Sequence, residues 1–265
     1  MMGRNTAWMV AAGLLTVLFS AAAVAAELPG RLTVEQADSI AASTDDPWVA
    51  SDALSRAWEH QRAMDVLTAS GRNDAGTLWR LARAHVDLGE NMEEESDQEA
   101  AYEQALELAR QAIALDSTCA DAHLQAAIAC GRLSLIRGVF GGASGLVKQG
   151  YRHALVSASL ADMPVALYVV GRTHKKLMEK SRLIRMAAGF GFADDDSVRI
   201  YFDRSLASAD NQVQLRVEYA DWLIKERDED DLARRLLEEA LSMPLRDEHD
   251  TEAQVWAREL LEELE

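Results

Sequence analysis

The spacing of small residues constrains this 265-residue chain more than any other feature. In DQEAAYEQALELARQAIALD, residues 97–116, Ala105, Ala109 and Ala112 stand four and then three positions apart. The same offsets recur at Ala154, Ala158 and Ala161, at Val198, Phe202, Ser205 and Asp210, and at Ala233, Leu237 and Ala240. An earlier copy runs through Arg62-Ala63 to Leu67. An α-helix turns every 3.6 residues, so each set forms one stripe on which a second helix can approach closely. Recurrence of one such unit along a chain is the signature of stacked helical pairs. Composition agrees: four prolines and 6% aromatics are too few for a turn-rich β-protein, and Ala, Leu, Glu and Arg are good helix formers.

The segments ahead of the stripes carry a complementary pattern. LWRLARAH (78–85), LYVVGRTH (167–174) and Leu215–Leu223 place large apolar residues, then a small one, then an aromatic or His. This alternation resembles helix A of tetratricopeptide repeats, with the small-residue stripe as helix B. About five degenerate repeats run from Asp46 to Met243. The segments LWRLARAHVDLGE (78–90), GRL (131–133), LYVVGRTHKKL (167–177) and SRLIRMAAGFGF (181–192) narrow the likeness. They are similar to the regulator of microtubule dynamics family, which has bacterial relatives. That resemblance implies an all-α, right-handed superhelical solenoid over residues 27–265 that binds other proteins. It does not imply a microtubule role. Repeat-ending Pro is mostly replaced, as at Asp116-Ser117 and Asp210-Asn211.

Helices are predicted at about 33–43 (opened by a capping box of Thr33 and Gln36), in a first repeat over 47–70, and at 74–89, 97–115, 120–137, 146–161, 164–180, 195–209, 211–226 and 229–243. A last helix over 248–264 is the solubilising cap that a solenoid end requires, with Ala253, Trp256, Leu260 and Leu264 facing inward. A groove-lining role falls to helix A residues such as Trp79, Arg83, His123 and Arg172. Residues 1–26 read as an export signal: Arg4, an apolar run Ala7–Phe19, and small residues around Ala23-Val24-Ala25. Export points to the bacterial periplasm. The alternative is an uncleaved anchor, since 20 apolar-rich residues just span a bilayer of ~30 Å. In an oxidising compartment Cys119 and Cys130 would face pairing, but 11 helical residues separate them by roughly 16 Å, so both are expected unpaired and buried.

The net charge of −17 disfavours nucleic acid as a partner. It is also unevenly distributed. Residues 27–130 carry −13, residues 131–185 carry +8, and residues 186–265 carry −13. The basic centre holds Arg132, Arg137, Lys148, Arg152, Arg172, Lys175, Lys176, Lys180, Arg182 and Arg185. It coincides with two of three insertions at the turn between helices A and B: 90–96, 138–145 and 181–196. These should lie along one edge, often the binding face of a repeat protein. Three roles for the centre stay open. It pairs with the acidic flanks, it receives an acidic protein partner, or it meets an anionic membrane surface with Phe140 and Phe190 dipping in and Lys175, Lys176, Arg182 and Arg185 supplying charge.

Nothing in the sequence has the form of an active site. The six histidines form no close metal pair, and His85 and His174 stand at packing positions of helix A. Gly141–Gly145 (GGASG) fits neither a nucleophile elbow nor a phosphate loop. Asp194-Asp195-Asp196 is placed to cap the helix that follows. The expectation is an exported, non-enzymatic scaffold without cofactor or metal. Its rival is a ligand carrier associated with a transport system, which a closed apolar pocket with few charges would favour over an open charged groove.

Overall fold

A computed structural model describes residues 30–138, 142–207 and 212–265. The export-signal reading of residues 1–26 and the candidate residue Phe140 lie outside these. Helix α1 (Val34–Ala42) is followed by five pairs: α2 (Pro47–Arg56) with α3 (His60–Ala69), α4 (Ala75–Glu90) with α5 (Glu95–Leu115), and α6 (Ala120–Arg137) with α7 (Ala143–Leu160). Then come α8 (Pro164–Met178) with α10 (Asp195–Leu206), and α11 (Val213–Arg227) with α12 (Asp230–Ser242). The six-residue α9 (Arg182–Ala187) sits inside the fourth pair, and α13 (Asp250–Glu263) ends the chain. Each helix packs mainly on its sequence neighbours, and α4 on α6, α8 on α11 and α11 on α13 form the inner wall. This is a helical solenoid.

Local chemistry sets the boundaries. Thr33 and Gln36 form a reciprocal capping box. Asp46, Asp74 and Asp194 each accept a backbone N–H of the first turn, which satisfies donors a helix start leaves open. Pro47 and Pro164 occupy the first helical position, where a missing N–H costs nothing. The insertion expected at 90–96 is shorter than predicted. Only residues 91–94 leave the helices, because α5 starts at Glu95 and runs for 21 residues.

The stripes pack as their spacing requires. Ala105, Ala109, Ala112, Val198, Phe202, Ser205, Ala233, Leu237 and Ala240 are all fully buried. In α7 the register differs: Gly150, Ala154 and Ser157 are buried, while Ala158 is half-buried and Ala161 exposed. The hydroxyl decides it. Ser157 Oγ donates to the Ala120 carbonyl (2.9 Å), and Ser205 Oγ donates to the Pro164 carbonyl (2.7 Å), so the third stripe position ties helix B to the start of its helix A. In α13, Ala253, Ala257 and Leu260 pack inward, while Trp256 is only half-buried and turns to the interior space. Cys130 is buried and Cys119 half-buried, and neither forms a disulfide.

Glycines in the A helices admit large neighbours. A Cβ on Gly171 would stand 2.5 Å from the ring of buried Phe202, whereas one on Gly131 would meet nothing within 4 Å. Gly171→Ala is therefore expected to destabilise by about 1–3 kcal/mol. Gly131→Ala should stabilise by up to about 1 kcal/mol through helix propensity. Urea unfolding of the two variants checks the opposite signs.

Candidate functional site

The solenoid closes on itself. The segment between α12 and α13 reaches back to the first helices, and the seam is built from both ends of the chain. Arg31 N–H donates to the Leu245 carbonyl (3.0 Å), and Trp58 Nε1 donates to the Arg246 carbonyl (3.2 Å). Arg31 stacks over the Trp58 ring at 3.7 Å. Trp58 holds φ +64°, a left-handed conformation that costs a bulky residue of order 1–3 kcal/mol and persists because these contacts fix the turn.

Two histidines complete the seam, each between two carboxylates. His60 lies 3.3 Å from Asp87 and 3.1 Å from Glu248, and His249 lies 2.9 Å from Glu90 and 3.6 Å from Glu252. Glu90 also pairs with Arg132. Burial by itself lowers the His249 pKa, but the Glu90, Asp247 and Glu252 carboxylates outweigh it and raise the imidazolium above its ordinary range. Burial pushes the Asp87 carboxyl up to about 6, against the pull of His60 and Arg83, with Glu90 and Asp247 adding to the rise.

The closed ring surrounds a partly open chamber of about 1250 Å³, walled by α4, α6, α7, α8, α11 and α13 with α9 at its rim. Most of the wall is apolar, with Trp79, Leu124, Ile128, Val169, Leu177 and Trp256 among its side chains. Charged side chains are set among them, and several are paired. Arg83 pairs with Asp52 (2.8 Å), Arg172 with Glu218 (2.7 Å), and Arg132 with Glu90. Arg80 binds Asp52 through two nitrogens and lies over the Trp79 ring at 4.2 Å, which fixes that indole against the wall. Among the described residues, no group of three or more His, Cys, Asp or Glu is arranged to hold a metal, and no helix is long and apolar enough to cross a membrane.

Of the residues singled out in the sequence, Trp79, Arg83 and Arg172 line this chamber, as do Lys176, Arg185 and Phe190 toward its rim. His123 does not. It is buried toward α7, 2.9 Å from His153 and 3.3 Å from the Ser117 carbonyl, because one residue turns a helix by about 100°, and its neighbours Leu124 and Gln125 face inward instead. Lys175 is no surface cation. It is 5% exposed, with Nζ 2.8 Å from Asp221 and 2.9 Å from the Glu218 carbonyl. Phe190 is 7% exposed and packs with Leu177 and Ala193, so it does not dip outward. Lys176 is exposed and pairs with Glu179 (2.9 Å); Arg182 is exposed; Arg185 donates to the Met178 and Lys180 carbonyls.

The basic centre is thus partly committed within the fold: Arg132 to Glu90, Arg137 to Glu99 and Glu103, Arg172 to Glu218, Lys175 to Asp221. Sequence reasoning did not single out His60, His249, Asp87 or Trp256 as site residues. No motif signals them, because their partners lie up to 188 positions away.

Lys175→Ala leaves Asp221 with Lys225 and Glu218 with Arg172 but removes buried charge-assisted bonds to both segments, and is expected to cost about 1–3 kcal/mol. Lys176→Ala, with its exposed partner, should change stability by no more than about 0.5 kcal/mol. Thermal unfolding of both variants checks this. The seam should also be pH-sensitive. His249 has a raised folded pKa, so its contribution is complete below the unfolded value and lost as pH rises through the folded one. Asp87, raised from 3.8 to about 6, takes up its proton more readily when folded, so its contribution also falls as pH rises through that window. Stability is expected to fall as pH rises from about 4 to about 6 through Asp87 and to fall further above the ordinary imidazole range through His249, and the double variant His249→Gln/Asp87→Asn should flatten that slope.

The comparisons with known proteins agree with this architecture. A family model described as regulator of microtubule dynamics protein 1-3 matches residues 49–265. No curated protein matches the chain. Among solved structures, the chain is similar to TTC0263, a thermophilic TPR protein of Thermus thermophilus, at 18% identity and a TM-score of 0.50, over 72% of this chain and 88% of that one. That likeness concerns the fold alone. With the family model covering all five helical pairs, the chain belongs to the regulator of microtubule dynamics protein 1-3 family.

Proposed function

We propose that this chain is a non-enzymatic binding protein that holds an extended segment of a partner protein inside the chamber. The observation that carries the reading is the size and lining of that space. Its volume of about 1250 Å³ exceeds the roughly 300–1000 Å³ of small-molecule sites. Its wall sets apolar side chains beside charged groups, several of them paired with one another. Such a wall matches a peptide, which offers apolar side chains to the first and backbone polar groups to Arg83, Arg172 and their carboxylates. The tetratricopeptide-like scaffold supports the same use, since stacked repeats present extended concave surfaces. The protein acts outside the cytoplasm in this proposal, on the strength of Arg4, the apolar run Ala7–Phe19 and the small residues up to Ala26.

One observation favours a second reading. An adaptor can work with an open groove, whereas here His60 and His249 close the solenoid, and a closed chamber suits a carrier of small apolar ligands for a transport system. The chamber's many charged side chains weigh against it.

Selection of binders from a random peptide library separates the two. Peptides sharing one apolar anchor are expected to emerge, with binding weakened at least about tenfold, or ~1.4 kcal/mol, by Ile128→Asp or Trp79→Ala. Leu115→Asp, at an exposed site away from the chamber, should leave binding unchanged. Peptide binding indifferent to the chamber variants would overturn the proposal. A small molecule retained by the wild type in native mass spectrometry and lost from Ile128→Asp, with no peptide selected, would establish the carrier.

A further inference from the structure

The turn that carries α9 combines exposed apolar side chains with cations that no carboxylate among the described residues pairs. Leu183, Ile184 and Met186 stand 81%, 58% and 59% exposed on a helix of six residues. Around them are Lys180 and Arg182, both exposed, with Arg185 and Lys148 beside them; Lys148 lies 5.3 Å from the centre of the Phe190 ring. Among the described residues no carboxylate pairs with these four cations, in contrast to Arg132, Arg137, Arg172, Lys175 and Lys176. Over residues 163–193 Glu179 is the sole acid, and it is engaged by Lys176.

We propose that this edge of the solenoid docks on an anionic lipid bilayer, with Leu183, Ile184 and Met186 entering the interface and Lys180, Arg182, Arg185 and Lys148 meeting the headgroups. Charge complementarity is the first argument. The chain as a whole carries −17 and is repelled by an anionic surface, so contact requires an edge where cations are left uncompensated, and four of them gather here beside exposed apolar side chains. Area is the second. Three aliphatic side chains on a single short helix fall well short of the roughly 800 Å² that a stable protein interface takes from each partner, whereas a bilayer accepts an apolar wedge of any size flanked by cations. The edge borders the chamber through Lys180, Ile184 and Arg185, while Leu183, Met186 and Arg182 lie outside its lining. It also replaces the residues the sequence offered for such a contact: Phe190 and Lys175 are buried, and α9 supplies the apolar side chains instead.

The test places an environment-sensitive dye on Leu183→Cys in the full chain, with Cys119→Ser so that one accessible thiol remains; Cys130 is buried. The reporter is local, so the apolar N-terminal segment of the same chain does not set the signal. Vesicles of phosphatidylcholine mixed with phosphatidylglycerol are expected to shift the emission to the blue, and phosphatidylcholine alone to leave it unchanged. Lys180→Glu/Arg182→Glu/Arg185→Glu should weaken vesicle binding at least about tenfold at unchanged helix content. No shift with anionic vesicles, equal shifts with both kinds, or insensitivity to the charge reversal overturns the proposal. So does a lipid-free shift that grows with protein concentration, which would identify a second copy as the occupant.

Discussion

The seam between residues 244–250 and helices α2–α4 is the constraint on which the rest of the structure depends. A stack of helical pairs has two ends and an open concave face. Here the last turn is pulled back onto the first pairs by hydrogen bonds from the Arg31 backbone and the Trp58 indole, and by His60 and His249, each bonded to a carboxylate from a distant part of the chain. The concave face becomes a chamber, and α13 becomes part of its wall through Trp256 instead of a solubilising cap alone. The seam is polar throughout, so its strength follows protonation more than burial, whereas the helical pairs rest on apolar packing that pH does not touch.

The uneven charge of the chain acquires a physical meaning from the same geometry. Curving the solenoid brings the basic centre against both acidic flanks. Arg132 reaches back to Glu90, Arg137 to Glu99 and Glu103, and Arg172 and Lys175 reach forward to Glu218 and Asp221. These pairs hold neighbouring helices in fixed relation, and the buried one at Lys175 belongs to a network in which Arg172 and Lys225 hold the same carboxylates. Among the described residues, cations that no carboxylate neutralises include Lys180, Arg182 and Arg185 around α9. That edge borders the chamber, since Lys180, Ile184 and Arg185 also line its mouth.

Much of the fold was legible in the sequence because it is local. Thr33, Asp46, Asp74 and Asp194 announce helix starts through their own side chains, and the four-then-three spacing announces the buried stripe. Legibility ended where a hydrogen bond to the preceding helix shifted the register. In α7 the Ser157 hydroxyl, bonded to the Ala120 carbonyl, takes the place that Ala158 was expected to hold. His123 shows the same sensitivity from the other side: one position of rotation moves a side chain from the chamber to the interface with α7. Charge was the least legible quantity. A Lys in a basic run reads as a surface cation, and only the arrival of Asp221 from the next repeat makes Lys175 a buried one.

The sequence by itself determined the helices, their pairing and the repeat order, since each rests on spacings of three or four residues that the helical period converts directly into contact. Only the tertiary structure decided that the solenoid closes and encloses a chamber, and which cations are neutralised. Closure is the sum of small rotations accumulated over five helical pairs, and it is sealed by contacts such as His60 with Glu248, 188 positions apart, which no periodicity encodes.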